Sequence, residues 1–167
     1  MLIITIIMFL SGCKEPIRTY QLPKQTIYIA GLQQDQVLGW HAPSYWQVQT
    51  PDNMVKERYQ LASDSGKDVG ITLNISVFPG NVGSQLANIN RWRAQLQLNA
   101  LSIEESNSLV TTNTTKSGIE YTRVKLSNTK GDAIDVITMP FNGKTYFFKF
   151  TGKHQTLNTH EEDYMTF

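Results

Sequence analysis

Ala133-Ile134-Asp135-Val136-Ile137-Thr138-Met139 and Lys144-Thr145-Tyr146-Phe147-Phe148-Lys149-Phe150-Thr151, separated by Pro140-Phe141-Asn142-Gly143, decide the fold. The first carries Ile134, Val136, Ile137 and Met139, and the second Tyr146, Phe147, Phe148 and Phe150, so apolar side chains stand at both parities. Successive side chains of a strand point to opposite faces, so strands of this kind are covered on both sides and belong in the middle of a sheet. Cover on both sides calls for helices on both sides.

Working outward, 108–115 and 119–127 read as strands joined to the central pair by Lys116-Ser117-Gly118 and by the turn residues of 128–132, a meander. Further back, Val69, Ile71, Leu73, Ile75 and Val77 alternate with Gly70, Thr72, Asn74 and Ser76, which predicts a strand with one buried face. The stretch 55–62 precedes it antiparallel through Ser63-Asp64-Ser65-Gly66-Lys67-Asp68. After Phe78-Pro79-Gly80 the period becomes helical: Leu86, Ile89, Trp92 and Leu96 share a stripe, and Ser84 is placed to cap a helix over 84–98. A second helix is expected to start near Thr159, where Thr159 and Glu162 have capping-box spacing. The fold class is therefore α+β, an antiparallel sheet sandwiched between helices.

The chain has 167 residues with 15 basic and 14 acidic side chains, a net charge of +1, which gives no electrostatic case for a nucleic-acid partner. Cys13 is the only cysteine, so neither an internal disulfide nor a thiolate metal cluster can form. Residues 37–167 have the size of one domain. Residues 13–36 are rich in Gln, Pro and Lys without sustained period and read as a tether, although Thr26-Ile27-Tyr28-Ile29 has the composition of an edge strand. Ahead of them, Leu2 to Leu10 is apolar except for Thr5, too short to span a bilayer, which takes about 20 residues as a helix. It reads as the apolar region of a signal peptide, 1–12.

Leu10-Ser11-Gly12-Cys13 resembles the lipobox of bacterial lipoproteins. The resemblance implies that a diacylglycerol with palmitate-type chains is attached to the Cys13 thiol and that 1–12 is removed, leaving a membrane-anchored envelope protein. Lys14 after the cysteine implies the outer membrane, facing the periplasm, in a double-membraned cell. No Lys or Arg precedes the apolar run, which is the mark of a misassigned start or a clipped chain.

Trp40-His41-Ala42-Pro43 followed by Trp46, the strand Ile75 to Phe78 leading into Pro79-Gly80, and Asn88-Ile89-Asn90-Arg91-Trp92-Arg93-Ala94-Gln95-Leu96 resemble bacterial lipoproteins with a PsbP-like domain. That resemblance implies an α/β/α sandwich shared with the PsbP subunit of photosystem II and with a Ran-binding import factor. It implies an accessory or binding role and no established reaction or cofactor. Chains of that group carry a longer C-terminal helix, which implies that this chain is truncated at its C-terminus.

Arg91, Trp92 and Arg93 are candidates for an anion or partner site, since Arg and Trp are enriched at binding hot spots. The plain alternative puts Trp92 in the core, Arg93 half-buried on a carboxylate or carbonyls, and Arg91 in solvent, and the cost of burying an unpaired charge favours it. Gly80-Asn81-Val82-Gly83-Ser84 enters the helix with backbone N–H groups that could cradle an anion, but Gly80 and Gly83 equally serve a tight turn. His41, His154 and His160 have no metal-ligand spacing, so no metal is expected. No Gly-x-Ser-x-Gly elbow is present. Trp40, Tyr45 and Trp46 are either a stacking platform or core. The sequence points to a non-catalytic binding domain for an envelope protein or small ligand, with an envelope hydrolase or a structural component as alternatives.

Overall fold

Seven antiparallel strands form one sheet in the order β1-β2-β3-β7-β6-β5-β4. The computed structural model describes residues 38–52, 54–62 and 69–165. The signal segment, Cys13, the tether, Thr26-Ile27-Tyr28-Ile29 and the turn 63–68 lie outside the described residues. The strands are β1 Gln47–Gln49, β2 Glu57–Ala62, β3 Val69–Pro79, β4 Val110–Thr114, β5 Glu120–Ser127, β6 Asp132–Phe141 and β7 Lys144–Lys153. The helices are α1 Gln85–Gln95, α2 Ile103–Asn107, α3 His154–Thr159 and α4 Glu161–Met165. No helix among the described residues is long and apolar enough to cross a membrane.

The α+β class holds, with a sheet that outweighs its short helices. β6 and β7 are central, β7 lying between β6 and β3. Their hairpin closes on Asn142 (φ 47°) and Gly143 (φ 69°) between the paired Phe141 and Lys144. Two left-handed residues make the turn whose twist matches the strands, and Asn-Gly is its preferred sequence. At the β3–β7 seam the backbones crowd: a Cβ on Gly152 would stand 2.5 Å from the Gly70 carbonyl oxygen.

Apolar residues of β6 divide by parity between two clusters. Ala133, Ile137 and Met139 join Ile71, Leu73, Ile75, Tyr146, Phe148 and Phe150, with Leu157 of α3 and Trp46 against them. Ile134 and Val136 join Val124 and Leu126 of β5 with Ile89, Trp92 and Leu96 of α1. Each such side chain removed from water contributes ~1.5–3 kcal/mol.

Ser84 caps α1, its hydroxyl accepting the Ala87 N–H at 3.2 Å. The helix ends at Gln95, short of the predicted 98, and Gln97 turns left-handed behind it (φ 59°). The second predicted helix start, near Thr159, is met within two residues by α4, which begins at Glu161, and a further helix precedes it. Thr159 closes α3, which begins at His154 where β7 ends and the His154 N–H donates to the Gly131 carbonyl at 2.8 Å. α2 was not expected from the sequence, yet Ser102 and Glu105 cap it reciprocally.

Candidate functional site

One transverse row of paired residues crosses the whole sheet. Gln49, Arg58, Asn74, Lys149, Val136, Val124 and Val110 pair in succession from β1 to β4. Paired residues share a face, so along this row the face is polar from β1 through β7 and apolar from β6 through β4. The neighbouring row repeats the division: Gln47, Gln60, Thr72 and Thr151, then Ile134 and Leu126. α1 packs its apolar stripe on the apolar half. The polar half is left beside the helix as the floor of a groove.

That groove encloses about 270 Å³. Arg58, Asn74 and Lys149 of the polar row line it, together with Asp52 and, from α1, Asn88 and Arg91. Trp92, Phe78 and Phe147 form its aromatic wall, with ring centroids of Phe78 and Trp92 at 6.0 Å and 6.1 Å from Phe147. Three cations and, among the described residues, one carboxylate thus line the groove. Asp52 Oδ2 accepts from Arg58 Nη2 at 2.5 Å, and that bond holds the Asp52 carboxyl below its usual range. Arg58 Nε also donates to Asn74 Oδ1 at 2.7 Å. Lys149 Nζ donates to the neutral Gln95 Oε1 at 3.2 Å. Burial first, and then the charges of Arg58 and Arg91, push the Lys149 ammonium below its ordinary pKa, with Asp52 opposing.

The predicted site residues are split by the structure. Trp92 is buried against β5 and β6, Arg91 is exposed and donates to Asn88 Oδ1, and both line the groove. Arg93 is half-buried and spends its Nε on the Asn99 carbonyl at 2.7 Å. Gly80 and Gly83 take positive φ, 63° and 70°. The Gly80 N–H is already donated to the Gly143 carbonyl at 2.8 Å, and neither glycine lines the groove. The asparagines of the motif act as loop clamps. Asn88 Nδ2 holds the Val82 carbonyl at 2.9 Å, and Asn90 pairs with both backbone groups of Leu101, at 3.1 Å and 2.8 Å.

Sequence reasoning missed Arg58, Asn74 and Lys149. Lys149 carried the signal, as the lone charge in the run from Thr145 to Thr151.

The opposite face holds a larger cavity of about 540 Å³, lined by Trp40, Tyr121, Ile137, Met139, Phe148 and Phe150 among others. Trp40 packs edge-on to Phe148 at 5.8 Å and donates its Nε1 to Glu57 Oε2 at 2.7 Å. Trp46 is buried against Phe150 at 6.5 Å, whereas Tyr45 is 54% exposed. The three aromatics therefore form no common platform. On this face Arg123, 11% exposed, bonds the buried Asp135 and reaches Glu161 of α4 at 2.7 Å. Lys125 bonds the same Glu161 oxygen at 2.7 Å, and its hydrogen bond is the main cause of the lowered Glu161 pKa. His154 and His160 bond Asn158 and Asp163. Among the described residues no three His, Cys, Asp or Glu side chains converge as metal ligands.

No family model and no curated protein matches the chain. Among solved structures it is similar to the solution structure of cyanobacterial PsbP (CyanoP) from Synechocystis sp. PCC 6803. That likeness has 10% identity and a TM-score of 0.47, and covers 74% of this chain and 79% of that one.

Proposed function

We propose that the chain is a lipid-anchored, non-catalytic binding or accessory domain of the bacterial envelope, built as a PsbP-like α/β/α sandwich. Cys13 is its lipidation site, the membrane its resident surface, and the outer membrane its address in a double-membraned cell. One observation carries the binding reading: among the described residues, half of one sheet face is polar and left beside the helix, and its groove is lined by Arg58, Arg91 and Lys149 with one carboxylate, Asp52. A few convergent polar side chains in a concave site with an aromatic wall are features of a ligand pocket.

The test uses the full chain expressed in a bacterial host. A fatty-acid probe is expected to label wild type and to miss Cys13→Ala, which shifts to the soluble fraction or stays unprocessed. Native mass spectrometry of the detergent-extracted protein is expected to show a bound species beyond the lipidated chain. An unlabelled wild type refutes the anchor, and a bare chain refutes the binding role.

A further inference from the structure

We infer that the groove between α1 and the β2–β3–β7 row is a phosphate site, taking a small phosphomonoester on Arg58, Arg91 and Lys149. This deepens the binding reading above by naming the ligand class. The register puts Arg58, Asn74 and Lys149 on neighbouring strands of one face. α1 brings Arg91 and Asn88 to the same groove from its side. Among the described residues that line it Asp52 is the one carboxylate, against three cations, which gives a surplus of two positive charges. A phosphomonoester carries a charge of roughly −1.5 to −2 at neutral pH, whereas one carboxylate balances half the surplus.

Asp52 occupies the place that a ligand oxygen would take. It is 62% exposed at its side chain and holds Arg58 from the solvent side, so an incoming phosphate competes with it for the guanidinium. Asn74 Oδ1 orients the Arg58 Nε, and Asn88 Oδ1 receives Arg91, which leaves donors of both guanidiniums for an oxyanion. Lys149 is crowded by both arginines, and an anion relieves that crowding. The volume of about 270 Å³ limits the ligand to a phosphate with a compact body, and Phe78 gives that body an aromatic wall.

The experiment is a titration of the full lipidated chain in neutral detergent with phenyl phosphate and with inorganic phosphate, against chloride at matched ionic strength, read by thermal melting and by intrinsic tryptophan fluorescence, to which Trp92 in the groove wall contributes. Both phosphates are expected to raise the melting temperature where chloride does not, with phenyl phosphate the tighter. Lys149→Met is expected to weaken binding roughly tenfold or more while melting, ligand-free, at or above wild type. Asp52→Asn is expected to tighten binding several-fold, which keeps the proposal open to refutation should Lys149→Met fail to fold. Equal effects of phosphate and chloride overturn the site, as does an Asp52→Asn variant that binds more weakly. Binding to phosphatidic-acid vesicles without binding to free phosphomonoester also overturns it, in favour of a lipid headgroup. A neutral species bound to the extracted protein, with no phosphate response, removes the phosphate site and leaves the binding role standing.

Discussion

The two halves of one sheet face differ in what completes them. From β6 to β4 the face presents Val136, Val124 and Val110, and α1 closes it with Ile89, Trp92 and Leu96. From β1 to β3 it presents Gln49, Arg58 and Asn74, and the helix stops at its border. The opposite face of β2 and β3 is apolar apart from Glu57, with Tyr59, Leu61, Ile71, Leu73 and Ile75 in the core or against it. Among the described residues, the strands of the polar half thus pack an apolar core on one side, and their other side carries charge. What differs is the residue type at alternate positions, which decides where a short helix can dock and so where a groove is left.

Trp92→Ala breaks the covered half and has the largest expected effect. Trp92 is 8% exposed and packs on Phe147, so its truncation is expected to cost about 3–5 kcal/mol. A urea melt checks it, and a variant as stable as wild type would mean that the aromatic wall carries little of the fold. Arg91→Ala, one residue away and exposed, is expected to stay within about 0.5 kcal/mol. Between the halves lies the β3–β7 seam. Gly152→Ala places a methyl group against the Gly70 backbone, which cannot swing aside as a side chain can, at an expected cost of about 1–3 kcal/mol. Backbone amide exchange is expected to rise on both sides of that seam and not in β4.

Acid should loosen the other face at α4. The pKa of Glu161 is depressed in the folded protein, chiefly by the Lys125 hydrogen bond and aided by Arg123, with burial opposing. Its contribution is therefore present above the unfolded value of 4.5 and lost as pH falls through the lower folded value. Exchange of α4 amides is expected to increase over that window, with Glu161→Gln showing the loosening already at neutral pH.

The covered half was legible because its signals are local. Ile134, Val136, Ile137 and Met139 announce a central strand within seven residues, and Ser84 with the Leu86-to-Leu96 stripe announces α1. β1 escaped notice because Gln47-Val48-Gln49 is three residues with one apolar side chain. α2 has one turn and no apolar stripe, so the Ser102 to Glu105 spacing was its sole mark. The Thr159 spacing marked the start of α4 to within two residues, whereas α3 escaped notice because it follows β7 directly, has no side-chain cap and buries only Leu157. The groove was illegible for another reason. Arg58, Asn74 and Lys149 meet only through the register of three strands, and Lys149 lies 75 positions after Asn74 in the chain. No local period encodes that meeting.

The smallest expected effect is the one that separates a built site from a polar surface. Lys149→Met removes a half-buried ammonium and should leave the fold as stable as wild type or slightly more so. The pH dependence of that difference carries the argument. In the folded chain the Lys149 pKa lies below its ordinary 10.5, through burial and the charges of Arg58 and Arg91. Below the folded pKa both states are protonated and the folded state bears the whole cost of the charge. As pH rises through the folded pKa the ammonium deprotonates in the folded state first, and the relief is complete by 10.5. The advantage of Lys149→Met is therefore largest near neutrality and shrinks as pH approaches 10.5. Tyr45 and Tyr59 titrate at alkaline pH in both proteins and cancel in the difference. Paired urea melts at neutral pH and at pH near 10 measure it. A constant difference across that range would mean that Lys149 is as well solvated as a surface lysine, and that the open half of the sheet bears no concentrated charge.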